Sequence, residues 1–167
     1  RPSRMIVFKG GRRSAGGART GLLKSFGGLI AYLTEGRRDA LNPDRVAWTS
    51  CRNLDGVNVP ARAAQVMRAH ASQHPRAEKP VYHFGLSLHP AEHLSPEQWN
   101  HVVDLLLQRL GLGRHQALVV AHRDTLHKHV HVVVNRVGGD GRAWEKENDL
   151  VKAIGAVRSI EVEYDLI

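Results

Sequence analysis

Two β-rich segments late in the chain constrain its fold more than any other feature. They cover residues 116–124 and 127–137, with only two residues between them. A parallel pair of strands needs a crossover of a dozen or more residues, so these two segments must form an antiparallel hairpin. In the second segment His129 and His131 alternate with Val130 and Val132. Because side chains alternate along a strand, the valines are expected to enter the core and the histidines to face a cleft or a metal on the other side.

Strand and helix patterns alternate through the rest of the chain. Apolar runs predict strands at 5–8, 46–51 and 81–89, and helical spacing predicts helices at 22–35, 60–70 and 150–163. A further helix is predicted from Ser95 to Leu110, because Ser95-Pro96-Glu97-Gln98 is a capping box with proline in the first turn. This order predicts an α+β fold with a central antiparallel β-sheet flanked by helices, and one domain spanning residues 1–167.

The positive charge is concentrated in the first third of the chain. Residues 1–52 hold eleven Lys and Arg against three acidic residues, which accounts for the whole net charge of +8. One basic surface on an otherwise neutral body indicates a polyanionic partner, most commonly nucleic acid, although a solvated basic surface without a partner is the simpler alternative. Cys51 is the only cysteine, and no apolar run reaches the roughly 18 residues that a bilayer requires. These features favour a reducing compartment and no membrane contact.

Four histidines lie within ten residues, at positions 122, 127, 129 and 131. In a tight hairpin His122 lies across from His129, on the same face as His131, with Asp124 nearby. A single strand histidine is more often a surface or core residue, but this spacing favours a metal or phosphate site. Three imidazoles suit a divalent transition metal such as Mn²⁺ or Zn²⁺, and a carboxylate can orient one of them. Three ligands leave positions for a substrate, as in catalytic sites.

Residues 122–135, with His122, Asp124, His129, His131 and Asn135 at fixed spacing, resemble the third motif of the relaxases. These are the HUH nucleases that start conjugative plasmid transfer, and the match is to the branch of the mobilisation and T-DNA border nucleases. The alternating histidines also resemble those of the HIT nucleotide hydrolases, although Lys128 departs from that pattern.

Two further segments support the relaxase resemblance. Relaxases of this branch carry a nucleophilic tyrosine on an N-terminal helix, and Tyr32 lies in such a segment, although packing on the sheet is its plainer alternative. Their second motif is an extended segment that ends in a serine, which Ser87 matches. The three motifs follow one another in the family's order over residues 29–137.

The resemblance implies an HUH relaxase-like fold and metal-dependent transesterification on single-stranded DNA, through a 5′-phosphotyrosyl intermediate at an origin of transfer. The expected cofactor is a divalent metal ion, Mn²⁺ or Mg²⁺ first and Zn²⁺ next. The expected catalytic residues are Tyr32, Asp124 and Ser87, the metal ligands are His122, His129 and His131, and the DNA contacts are Arg12, Arg13, Arg19 and Lys24.

The resemblance also implies a biological setting. The chain is expected to be an N-terminal DNA-nicking domain excised from a longer protein of the bacterial cytoplasm. Its expected partners are single-stranded DNA, accessory relaxosome proteins and a secretion coupling protein. A HIT-like nucleotide hydrolase and a catalytically silent DNA-binding module are the alternatives. His83, His89 and His93 are expected to be exposed, and His127 to lie beside the metal ligands or to contact DNA.

Overall fold

A computed structural model describes residues 5–9, 22–123, 128–145 and 149–163. The strands are β1 (Met5–Lys9), β2 (Leu22–Leu23), β3 (Gly36–Arg37), β4 (Ala40–Leu41), β5 (Val46–Arg52), β6 (Val81–Leu88), β7 (Ala117–His122) and β8 (His129–Asn135). The helices are α1 (Phe26–Glu35), α2 (Pro60–Ala71), α3 (Pro96–Arg109) and α4 (Asp149–Glu163), with a short 3₁₀ turn at Pro43–Arg45. No described helix is both long and apolar enough to cross a bilayer.

The central sheet is antiparallel throughout, in the order β1-β6-β8-β7-β5. β2 also pairs with β6, and β3 pairs with β4 in a separate small hairpin. The sequence therefore predicted the α+β class and the antiparallel sheet correctly. It also predicted the register of the β7–β8 hairpin, because His122 pairs with His129.

Helices cover both faces of the sheet. On one face Phe84, Val130 and Val132 are fully or almost fully buried in a core that α3 and α4 complete. On the opposite face Leu33 from α1 and Met67 from α2 pack on further strand residues in a second core. The histidines of β8 belong to this second face, which places α1 beside them.

The start of the first helix differs from its prediction. Leu22 and Leu23 continue the apolar pattern of the helix, but they pair with Tyr82 and Val81 at the edge of the sheet. The helix begins only at Phe26, where the Ser25 side chain accepts a hydrogen bond from the backbone N–H of Gly28. Pairing with β6 satisfies backbone hydrogen-bonding groups of Leu22 and Leu23. These two apolar residues are therefore part of the sheet and not of the helix.

Asn135 has a structural role at the end of β8. The side chain is fully buried, donates to the Met67 carbonyl and the Gln116 side chain, and accepts from the Val137 N–H, at 3.0, 3.0 and 3.1 Å. Asn135→Leu leaves these groups without a partner, so we expect the free energy of unfolding to fall by about 2 to 4 kcal/mol.

Urea denaturation of the two proteins measures this difference. Asn58→Leu is the matched control, since Asn58 is exposed, and we expect it to change stability by less than about 0.5 kcal/mol. Equal stability of Asn135→Leu and the wild type would contradict the structural role.

Candidate active site

Three histidines of the β7–β8 hairpin form a compact cluster, which we call the histidine triad. His122 ends β7, and His129 and His131 lie on β8. The ring centroid of His122 lies 4.7 Å from that of His131, and the other two centroid distances are 5.1 Å. One nitrogen from each ring lies within 4.8 Å of the others, so the triad could hold a metal ion. The structure thus brings together the three residues that the sequence predicted as ligands.

A hydrogen bond from His122 fixes its ring in the triad. Its Nε2–H donates to the backbone carbonyl of Leu33 in α1, at 2.7 Å. A neutral imidazole carries one proton, so Nδ1 keeps its lone pair, and this atom lies 3.1 Å from Nε2 of His129. Metal-binding histidines commonly donate their second N–H in this way, to a carbonyl or a carboxylate. The triad is less open than a surface cleft, because α1 buries His122, while His129 and His131 are half-buried.

Burial keeps His131 in the uncharged form that metals require. Desolvation is the largest cause, and the neighbouring rings and Arg45 add to it, so that the pKa of His131 falls to about 2. The ring is therefore neutral at physiological pH, with no proton to be displaced from an imidazolium before a cation binds. The donor set, its spacing and its protonation all fit a divalent cation.

Tyr32 lies on α1, one residue before the carbonyl that holds His122. The side chain is 50% exposed, so its ring is not a packing residue of the core. The guanidinium of Arg45 lies 5.6 Å from the centroid of the Tyr32 ring and donates to the Tyr32 carbonyl at 3.2 Å. The structure therefore leaves Tyr32 accessible on the helix that contacts the triad.

Arg45 contacts Tyr32 and is also linked to the end of the hairpin that carries the triad. Its carbonyl accepts from the backbone N–H of Arg123, and the Arg123 side chain donates to the carbonyl of Val46. Val46 in turn pairs with His122 at the end of the hairpin, beside a β-bulge in β5. The positive charge of Arg45 is close enough to contribute to the lowered pKa of His131. The sequence offered no signal for Arg45, because the contact joins separate elements.

The other predicted site residues divide into two groups. Ser87 is half-buried on β6 and pairs with His129, so it lies on the face of the triad. Lys24 is exposed just before α1, at a cleft of about 640 Å³ between α1 and α2. The remaining predicted site residues lie outside the described residues: Asp124, His127, Arg12, Arg13 and Arg19.

The prediction that His83 is exposed is wrong. It was expected to be exposed with His89 and His93, but only 4% of it is exposed, and its Nε2 lies 2.9 Å from Nδ1 of His131. A signal existed, because His83 and Ser87 are four residues apart and therefore share a face of β6. This signal points to the triad only when the pairing of β6 with β8 is known.

Comparisons with known proteins agree with the geometry. The family model described as "Relaxase: MobA/VirD2-like, nuclease domain" matches residues 39–166. Protein TraI of Escherichia coli is 29% identical over 115 residues, which cover 67% of this chain and 15% of TraI. Protein MobA of Acidithiobacillus ferrooxidans is 35% identical over 89 residues, which cover 52% of this chain and 22% of MobA.

These matches cover only part of each relative and only part of the proposed site. The chain spans less than a quarter of the length of either relative. The family match includes the triad and Ser87, whereas Tyr32 and most of the basic first third precede it. Since the match nevertheless covers most of the chain, and the triad lies within it, the chain belongs to the nuclease-domain family of the MobA/VirD2-like relaxases, enzymes that nick DNA.

Proposed function

We propose that this domain cuts and rejoins one DNA strand at an origin of transfer, with Tyr32 as the nucleophile. One observation carries the proposal: His122 of the triad is hydrogen-bonded to the backbone of Leu33, the neighbour of Tyr32. A nucleophile and a phosphate-binding centre must share one cleft for an in-line attack. The link between the triad and α1 supports such an arrangement.

In the proposed reaction the Tyr32 phenol oxygen attacks the scissile phosphorus. A bond from phosphorus to the tyrosine forms, the bond to the 3′-oxygen breaks, and that oxygen takes up a proton. A divalent cation held by His122, His129 and His131 would supply positive charge to the phosphate oxygens. The phenol must lose its proton in order to attack, and Asp124 or a neighbouring histidine is our candidate for the acceptor. The number of phosphoester bonds is unchanged, so the 3′-hydroxyl can reverse the reaction.

Arg45 is our candidate for a further contact with the scissile phosphate. Its charge lies beside the Tyr32 ring and is close enough to His131 to contribute to the lowered pKa of that residue, so it is near the place where negative charge would develop in the transition state. We therefore expect Arg45→Met to lower the nicking rate by about 10²- to 10³-fold. Single-turnover cleavage of a labelled strand measures this rate.

Arg37→Met is the matched control, because Arg37 is exposed and paired with Asp39 on the separate small hairpin. It should nick at the wild-type rate. Wild-type nicking by Arg45→Met would remove Arg45 from the mechanism.

We assign the strand-binding role to the basic segment that precedes α1, with Arg12, Arg13, Arg19 and Lys24 as backbone contacts. We propose that Ser87 contacts DNA near the cut, and its pairing with His129 supports this role. The accessory relaxosome proteins and the secretion coupling protein are proposed as partners of the whole protein to which this nicking domain would belong.

A covalent-adduct assay tests the function. The protein is incubated with Mn²⁺ and a pool of single-stranded oligonucleotides of randomised sequence, and the products are separated on a denaturing gel. A protein band that carries DNA supports the proposal, and sequencing its DNA identifies the nick site. Release of mononucleotides without an adduct would support the HIT-like hydrolase, which the family match does not favour. Salt-sensitive binding with no cleavage would support the silent DNA-binding module.

A further inference from the structure

We infer that His83 is a positioning residue that orients His131 for cation binding. The inference rests on the proposed role of the triad as a metal centre. His83 lies on β6, its ring centroid is 5.1 Å from that of His131, and its Nε2 is 2.9 Å from Nδ1 of that ring. Nothing else in the proposed mechanism uses this buried imidazole.

The register of β6 and β8 explains how the two rings meet. His131 pairs with Gly85, and His83 lies two residues along the same strand and on the same face. Because Gly85 carries no side chain, none separates the His131 ring from His83 across this pair of strands.

The hydrogen bond between the rings determines which nitrogen of His131 is available. One hydrogen bond joins the two rings, so a single proton lies between Nε2 of His83 and Nδ1 of His131. When Nε2 of His131 gives its lone pair to a cation, its proton stays on Nδ1 and is donated to Nε2 of His83. His83 then carries its own proton on Nδ1. Cation binding therefore selects one tautomer of the pair, and His83 provides the acceptor that this tautomer requires.

An uncharged acceptor distinguishes this pair from the carboxylate–histidine pairs of many metal sites. A carboxylate makes the ligand more basic, whereas a neutral imidazole orients the ring with less effect on its basicity. His83 thus fixes the direction of His131 without adding negative charge to a site that must receive a phosphate.

Three substitutions at position 83 separate orientation from packing. The amide of glutamine reaches the position of Nε2, the amide of asparagine reaches only that of Nδ1, and phenylalanine keeps the ring without a nitrogen. We expect His83→Phe and His83→Asn to weaken binding of Mn²⁺ by about 10- to 100-fold. His83→Gln should stay close to the wild type, because its amide oxygen can accept from Nδ1 of His131.

Titration calorimetry with Mn²⁺ on the DNA-free protein measures these affinities, and the visible spectrum of bound Co²⁺ reports the ligand geometry. His89→Gln is the control, since His89 is exposed beyond the end of β6. Thermal unfolding of each variant without cation shows whether it is folded.

The outcomes separate this inference from the proposed function. Wild-type Mn²⁺ affinity in folded His83→Phe overturns the positioning role, and so does equal weakening by glutamine and phenylalanine. Both outcomes leave the proposed metal centre intact, because the wild-type protein still binds the cation. If the wild-type protein binds neither Mn²⁺ nor Co²⁺, the metal centre is wrong and the role of His83 falls with it.

Discussion

Replacement of Tyr32 by phenylalanine is expected to abolish the covalent protein–DNA adduct and to lower the nicking rate by about 10³-fold or more, since it removes the attacking atom itself. The substitution deletes only the phenol oxygen. The ring that lies beside Arg45 remains, and so does the backbone carbonyl that accepts the Arg45 hydrogen bond. Because the side chain is half exposed, we expect no measurable loss of stability. Denaturing electrophoresis of labelled strands after incubation with Mn²⁺ measures both adduct and free product.

Tyr82→Phe is the matched control for this experiment. It deletes the same oxygen from a buried tyrosine whose ring packs against Phe84 and Trp144 on the face of the sheet opposite the triad. We expect this variant to form the adduct at the wild-type rate. If Tyr32→Phe also formed it, the nucleophile would have to be another residue, and the link between α1 and the triad would have only a structural meaning. Loss of strand binding by Tyr32→Phe would instead assign the tyrosine to recognition.

The hairpin shows why part of this site could be predicted from the sequence alone. The segments predicted as strands at 116–124 and 127–137 are too close in sequence for a parallel crossover, and the alternation of histidine with valine allows only one face for each. Together these constraints place His122 opposite His129, as the structure confirms. Both are local properties of a short segment, which is the reason that no knowledge of the rest of the fold was needed.

Arg45 and His83 could not be predicted in the same way, because their roles depend on contacts between distant segments. His83 reaches His131 only since β6 pairs with β8, although 48 residues separate the two. Arg45 meets Tyr32 from a segment 13 residues further along the chain, just before β5, whose start is hydrogen-bonded to Arg123 after β7. Leu22 and Leu23 illustrate the opposite error. Their spacing predicted a helix, but they form a strand, because pairing with the edge of β6 satisfies their backbone hydrogen-bonding groups.

The second large effect is expected when a histidine of the triad is replaced. His131→Ala removes one of three ligands, and we expect it to weaken Mn²⁺ binding by more than about 10²-fold. Nicking should fall by about 10³-fold, because the charge on the phosphate oxygens would no longer be stabilised. Binding of single-stranded DNA should change little, since the basic segment before α1 is proposed to supply it. Calorimetry with Mn²⁺, the adduct assay and a strand-binding titration give the three quantities on one preparation.

His101→Ala is the control, because His101 is exposed on α3, across the sheet from the triad, and contacts Glu163 of α4. It should match the wild type in all three measurements. The combination of lost cation binding, lost nicking and retained strand binding is specific to a metal centre that acts on chemistry. If His131→Ala lost strand binding together with cation binding, the triad would serve to hold the DNA backbone. If it lost neither, the imidazoles would be structural, and α1 would be held on the sheet by His122 for packing alone.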